Sequence, residues 1–176
     1  MNLSDFNYHL PAAHIAQHTI SPRDSARLLV LTDKIEDKKF SDVVDYLDAG
    51  DVLVMNETKV LHAKLVGKKT SGSPVEIVLL KKIKPLTYTC KIKTKNPHID
   101  VRILFKNGYG TIVDQKSIDE FTVQFSSAKI LKDAMLPTPP YIKRKVTDDE
   151  YQTVFAKNEG SLAAPTAGLH FTTRLL

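Results

Sequence analysis

One run of the sequence joins a titratable ring to a backbone with little bulk. It reads Gly160-Ser161-Leu162-Ala163-Ala164-Pro165-Thr166-Ala167-Gly168-Leu169-His170-Phe171. Small residues let backbone amides approach a ligand closely. A histidine such as His170 is a side chain that can give or take a proton. A tight packing turn is the equal alternative on these residues alone. A second candidate is Arg23-Asp24-x-x-Arg27, two guanidiniums bracketing a carboxylate just before an apolar run. Guanidinium forks bind carboxylate or phosphate in a bidentate way, and a structural salt bridge is the competing use. A third is the polar turn Asn56-Glu57-Thr58-Lys59.

Charge supplies a fourth. The net charge is +5, but residues 62–106 carry +9 while residues 1–61 carry −4. Lys68, Lys69, Lys91, Lys93 and Lys95 fall inside the basic block, with Lys91, Lys93 and Lys95 in alternation along one strand face. Such a block is a candidate footprint for the phosphates of a nucleic acid, or else a solvated lysine-rich face.

The surrounding elements must position these groups. Residues 11–18 read as a short helix begun by Pro11. Arg27–Leu31 reads as a strand. Phe40, Val43, Val44 and Leu47 have the spacing of an amphipathic helix, and Asp51–Met55 begins another strand. From there the pattern changes. Val60–Val66, Val75–Leu80, Thr87–Lys93, Val101–Phe105, Gly110–Asp114 and Phe121–Phe125 are six short strand-like runs. Turn residues such as Ser71-Gly72-Ser73-Pro74 and Asn107-Gly108 separate them. This predicts a small antiparallel barrel or sandwich. Residues 127–135 read as a helix, and Pro137, Pro139 and Pro140 as a rigid boundary. Thr147-Asp148-Asp149-Glu150 carries a capping box for a helix running to Phe155. Thr172 or Thr173 reads as a cap for one last turn.

Other chemistries find no support. The chain is 176 residues long, with one cysteine, so disulfide frameworks and cysteine-based zinc sites are excluded. Cys90 reads as a buried strand residue, and the compartment as the reducing cytoplasm. Apolar runs are too short for a membrane span, which needs roughly 20 residues. His14 and His18 sit four apart, but without the glutamate of a zinc-protease helix; no metal site is expected. Neither a phosphate-binding glycine loop nor a nucleophile elbow is present.

Taken together, the segments resemble the S-adenosylmethionine:tRNA ribosyltransferase-isomerase family of queuosine biosynthesis. The resemblance rests on Asp5-Phe6-x-Tyr8-x-Leu10-Pro11, Ile15-Ala16-Gln17 and Pro22-Arg23-Asp24-x-x-Arg27-Leu28-Leu29-Val30-Leu31. It continues through Gly50-Asp51-x-Leu53-Val54-x-Asn56-x-Thr58, Leu136-Pro137-x-Pro139-Pro140-Tyr141-Ile142 and Tyr151-Gln152-Thr153-Val154-Phe155-Ala156. It closes on the long, specific run Ala163-Ala164-Pro165-Thr166-Ala167-Gly168-Leu169-His170-Phe171-Thr172.

The resemblance implies an α/β domain with an inserted antiparallel β-barrel domain. Residues 1–60 and 141–176 would form the first and residues 61–140 the second. It implies transfer and isomerisation of the ribosyl unit of S-adenosylmethionine onto 7-aminomethyl-7-deazaguanine at a tRNA wobble position, giving epoxyqueuosine. S-adenosylmethionine enters as a substrate, and no cofactor is implied. His170 would be the catalytic acid or base. Arg23, Arg27, Asn56, Thr58, Tyr141, Pro165, Thr166 and Gly168 would hold substrate, and the lysines named above would meet the tRNA. Lys59 and Lys64 stand where the family usually has arginines, which weakens bidentate contacts there. Family members are also longer, continuing past the His170 motif. The α/β domain is therefore expected to be incomplete in this chain, with a separately encoded C-terminal half as a candidate partner. A non-catalytic RNA-binding barrel and an inactive truncated remnant are the competing expectations.

Overall fold

A computed structural model describes residues 1–176, which divide into two compact units. One comprises Thr58–Pro137 with Lys157–Ala164, and the other Met1–Glu57, Thr138–Ala156 and Pro165–Leu176.

The first unit holds a closed six-stranded antiparallel barrel. In chain order after β1 (Arg27–Leu31) and β2 (Ile35–Lys39) of the other unit come β3 (Thr58–Val60), outside the barrel, and the barrel strands β4 (Lys64–Lys69), β5 (Pro74–Lys84), β6 (Thr87–Lys93), β7 (Arg102–Phe105), β8 (Gly108–Gln115) and β9 (Glu120–Phe125). Around the barrel the order is β4-β5-β6-β9-β8-β7, and β7 closes on β4 through Lys68 opposite Leu104 and Lys69 opposite Ile103. Alternation sends every second residue inward. Leu65, Val75, Ile77, Cys90, Ile92, Ile103, Ile112, Phe121, Val123 and Phe125 fill the interior. Helix α1 (Ala128–Lys132) adds Ile130 to that core, and Ser127 caps it by accepting the Lys129 amide at 3.1 Å. Gly67 is required where β4 meets β7. A Cβ there would lie 2.7 Å from the Leu104 carbonyl oxygen. Beside the barrel, β10 (Asn158–Ser161) pairs in parallel with β3.

Five of the six expected barrel strands appear close to their expected bounds. The Val60–Val66 run is instead split between β3 and β4, with residues 61–63 between them. Lys95 lies beyond the end of β6, so it does not continue the face of Lys91 and Lys93.

The second unit is held differently. Strands β1 (Arg27–Leu31) and β2 (Ile35–Lys39) form an antiparallel hairpin, and α2 spans only Asp148–Tyr151. The helix expected over 11–18 is a single 3-10 turn at Ala12–His14, so His14 and His18 do not share a helix face. The amphipathic helix expected from Phe40 is also 3-10, over Phe40–Tyr46, and leaves Val44 and Leu47 exposed. Asp51–Met55 forms no strand, and Val52 and Val54 face solvent. The helix begun at Thr147 stops at Tyr151 rather than Phe155. Tyr151 is the one buried hydrophobic residue of this unit. Along the hairpin Leu29, Leu31 and Ile35 are exposed. No helix of the chain is long and apolar enough to cross a membrane.

Candidate functional site

A cleft of about 490 Å³ lies within the second unit. Three stretches wall it: residues 16–27, residues 138–151 and the turn at Thr166–His170. Its exposed lining is predominantly apolar, from Ile20, Ala26, Pro139, Ile142, Val146 and Leu169, with Arg23, Arg27, Arg144 and Glu150 set among them. That is the ordinary character of a small-molecule site.

Of the residues expected from sequence, the cleft gathers Arg23, Arg27, Tyr141, Thr166 and His170. Asn56, Thr58, Pro165 and Gly168 do not line it. His170 ends a 3-10 turn whose Gly168 amide donates to Pro165 O at 2.8 Å. Its ring lies 5.2 Å from that of Phe40, tilted by 40°. Phe40 in turn meets Phe171 edge-on at 4.9 Å.

Gly168 has a packing reason. A Cβ at that position would lie 3.0 Å from both Phe155 Cζ and Thr153 Cγ2. Its amide is committed to the turn, so the sequence expectation that this glycine opens backbone to a ligand is not how the local structure uses it.

The Arg23-Asp24-x-x-Arg27 bracket is likewise rearranged. Arg23 Nη1 donates to Gln152 O at 2.7 Å, and Arg27 Nη2 pairs with Asp37 Oδ1 at 3.0 Å in an exposed bridge. Asp24 turns inward, 2% exposed, away from both arginines. Its Oδ2 accepts from Arg174 Nη2 and from Thr172 Oγ1, each at 2.9 Å. These two donors, Arg174 first, hold the carboxyl below the usual carboxylate range, against the opposing pull of burial. Thr172 also accepts the Leu175 amide at 3.2 Å, so the expected cap is present on a single turn. A 3-10 turn at Arg23–Ser25 precedes the strand that carries Arg27, which is why adjacency in sequence did not become a clamp in space.

A network that the sequence pattern did not single out braces one wall. Arg144 makes a bidentate pair with Glu150, Nη1 to Oε2 at 2.9 Å and Nη2 to Oε1. Arg144 Nε also donates to Gln17 O. Gln17 Nε2 donates to Tyr141 O at 2.9 Å, and Gln17 Oε1 accepts the Lys143 amide at 3.0 Å. The Thr147 amide donates to Glu150 Oε2 at 2.9 Å, completing the capping box foreseen from sequence. The Arg144 contact, followed by the Thr147 amide, lowers the Glu150 carboxyl to about 2. The only local signal was the box itself. The partner Gln17 is more than a hundred residues away and leaves no spacing to read.

On the barrel, Lys91 pairs with Asp119 at 3.0 Å and Lys64 with Glu76 at 2.8 Å. Lys69 Nζ donates to Lys95 O and to Asn96 O at 2.9 Å. Lys68, Lys93 and Lys95 keep exposed side chains. Cys90 is buried, and desolvation pushes its thiol up to about 12, which removes it as a nucleophile at neutral pH.

Comparison with known proteins places the chain. A family model described as queuosine biosynthesis protein matches residues 3–176. A Desulforamulus reducens protein named S-adenosylmethionine:tRNA ribosyltransferase-isomerase is 42% identical over all of this chain and 55% of its own length. A protein of the same name from a Sulfurihydrogenibium species is 44% identical over all of this chain and 56% of its own. One from Thermosipho melanesiensis is 40% identical, again over all of this chain and 55% of its own. The chain thus spans about half the length of the curated relatives it matches. A solved structure of an S-adenosylmethionine tRNA ribosyltransferase from Thermotoga maritima is 24% identical, with a TM-score of 0.38, over 97% of this chain and 52% of that one.

Proposed function

This chain belongs to the queuosine biosynthesis protein family, and from that premise we propose that it contributes to a tRNA modification in which S-adenosylmethionine is a substrate. The ribosyl unit is transferred to 7-aminomethyl-7-deazaguanine at the wobble position and isomerised, giving epoxyqueuosine with release of adenine and methionine. The observation that carries the proposal is identity of 40–44% over the whole chain to relatives named for that reaction. The cleft is consistent with it. Its 490 Å³ suits a nucleoside-sized ligand, and its apolar walls favour exclusion of water.

In the proposed chemistry the sulfonium acidifies the protons on the adjacent ribose carbon. A base removes one, adenine departs with acid assistance, and the aminomethyl nitrogen bonds to the sugar as methionine leaves. His170 is assigned as the acid or base, because it is the titratable group of the Thr166–His170 turn that faces the cleft. Tyr141 and Thr166 are assigned to substrate. Arg23 and Arg27 remain proposed anion contacts that must exchange their present partners, Gln152 O and Asp37, on binding. Asn56, Thr58, Pro165 and Gly168 stay in the proposal as substrate-binding residues on the family resemblance alone, since none of them lines the cleft.

The proposed architecture is an α/β body interrupted by the barrel, and the proposed compartment is the cytoplasm. Turnover is assigned to this chain together with the length its relatives have in addition, in the same polypeptide or as a separately encoded half. The exposed apolar residues Leu29, Leu31 and Ile35 are the surface such a half would cover. A binding module without turnover is the second reading, favoured by a barrel core that is complete while the other unit buries a single hydrophobic residue.

The test is adenine release from S-adenosylmethionine, with tRNA bearing 7-aminomethyl-7-deazaguanine. It is run with the chain alone and with the added C-terminal remainder of the Sulfurihydrogenibium relative. Adenine release in the mixture supports the proposal. Tight tRNA binding with no adenine in either reaction supports the binding module.

A further inference from the structure

The outer surface of the barrel is not uniform. Along the β4–β7–β8 seam, outward positions align across the strands: Lys68 is opposite Leu104, and Leu104 opposite Tyr109. Leu104 and Tyr109 are exposed, at 44% and 39%. The Arg102 guanidinium carbon stands 4.3 Å from the centre of the Tyr109 ring. Arg102 also lines a second, more polar cleft of about 500 Å³ at the adjoining end of the barrel. That cleft is built from the β4–β5 turn and the β6–β7 connection. Lys69, Lys95 and Arg102 face it with Ser71, Ser73 and one acid, Asp100. Lys69 clasps the β6–β7 connection through two carbonyls, so the loop carrying Lys95 is held in place. An exposed aromatic–guanidinium pair is therefore continuous with a cationic, hydroxyl-lined cleft.

We infer that this seam binds a single-stranded stretch of RNA, with phosphates in the Lys69–Lys95–Arg102 cleft and a base stacked on the Arg102–Tyr109 pair. The inference rests on the proposal that the chain acts on tRNA, and it names the surface used. Two features select this occupant. The cleft holds three cations against one carboxylate, which complements a polyanion. The aromatic–guanidinium pair offers the stacking platform that unpaired bases use and a duplex does not. The competing lysine face fares worse on both counts. There Lys91 pairs with Asp119, the two lysines Lys91 and Lys93 are matched by Glu76 and Asp119, and no aromatic ring lines that groove.

The experiment is fluorescence anisotropy of the full chain against a labelled single-stranded RNA and against tRNA, across a salt series. Tyr109→Leu keeps a bulky strand residue and removes the ring, while Tyr109→Phe restores it. The leucine variant is expected to weaken single-stranded RNA binding about fivefold or more, and the phenylalanine variant to recover it. Lys95→Gln should flatten the slope of log K against log salt by about 0.7. Lys91→Gln, and Lys81→Gln at the opposite end of β5, should do less. Equal losses for Lys81→Gln and Lys95→Gln, with no effect of Tyr109→Leu, overturn the inference and leave a diffuse basic surface. Loss with Lys95→Gln but not Tyr109→Leu also overturns it, in favour of an acidic protein or a purely electrostatic contact. If tRNA binds tightly and none of the seam variants weakens it, the seam fails while the tRNA proposal stands. If wild-type chain binds no RNA, both fail.

Discussion

The wall of the apolar cleft can be loosened at one carboxylate, and the effect carries its own pH signature. Glu150 accepts both arms of Arg144 and the Thr147 amide. Those donors hold its carboxyl at about 2, below the ordinary value of 4.5. A carboxyl depressed in the folded state binds its proton more weakly there than in the unfolded chain. Its contribution to stability is therefore complete above the unfolded value near 4.5 and disappears as pH falls through the folded value near 2. Glu150→Gln keeps an oxygen that can accept the Thr147 amide but gives up the ion pair. Glu150→Ala gives up both. Loss of the cap alone corresponds to about 1 kcal/mol, or roughly a fivefold drop in local amide protection. The readouts are carboxyl carbon shifts of Glu150 and exchange of the Thr147 and Lys143 amides, corrected for intrinsic pH dependence. The carboxyl shift should titrate with a midpoint near 2. The protection difference between wild type and Glu150→Gln should be greatest above pH 5 and vanish toward pH 2. A midpoint at the ordinary value, or a difference that does not change with pH, would refute the claim that Arg144 organises this wall.

Three further outcomes are expected. In an adenine-releasing assembly of this chain with the remainder of a relative, His170→Ala should lower turnover about 10²-fold or more, and His170→Gln should not restore it; near-normal turnover in the alanine variant would leave His170 a partner of Phe40 only. Gly67→Ala should cost the barrel about 3 kcal/mol, because the new Cβ meets a backbone carbonyl at 2.7 Å that side-chain rotation cannot relieve. Gly110→Ala should cost less, since its nearest neighbours, 3.0 Å and beyond, are side chains of Val123 and Phe125; calorimetric melting of both variants compares them. Cys90, buried with its thiol pushed up to about 12, should react with a disulfide reagent at pH 8 no faster than the barrel opens, and a fast stoichiometric reaction in the native protein would contradict its placement.

The barrel was legible because its determinants are local. Phe121, Val123 and Phe125 alternate with Thr122 and Gln124, and Asn107-Gly108 marks the tight turn where β7 passes to β8. Inward and outward sets can be written down before any strand is paired. Exact bounds were less legible where a strand stops for a non-local reason. At residues 61–63 the chain changes partners: the Leu61 amide still donates to Ser161 O of β10, the partner of β3, whereas the Ala63 amide donates to Met135 O. The other unit defeated pattern reading for the opposite reason. Phe40, Val43, Val44 and Leu47 have helical spacing, but a short helix is stabilised by burying its apolar face. Val44 and Leu47 stay about half exposed here, and the segment settles into 3-10 turns. Val52 and Val54 alternate like a strand, yet no neighbouring strand takes up their backbone groups.

The candidate sites divide along the same line. Residue types were readable: a histidine in a small-residue turn, arginines before a strand, lysines in a basic block. Their use depended on partners that only folding supplies. Asp24 looked like the filling of an arginine bracket and is instead buried against Thr172 and Arg174, some 150 positions away. Lys91 and Lys95 looked equivalent on charge. The first pairs with Asp119, whereas the second is held by the Lys69 clasp at the rim of a cleft that also receives Arg102. The groove beside Lys91 sets two lysines against Glu76 and Asp119, whereas the cleft at Lys95 sets three cations against Asp100, so only the second has a net positive field for a phosphate. Counting lysines along a sequence therefore locates a basic region, while the distribution of carboxylates and rings around it decides which part of that region can recognise RNA.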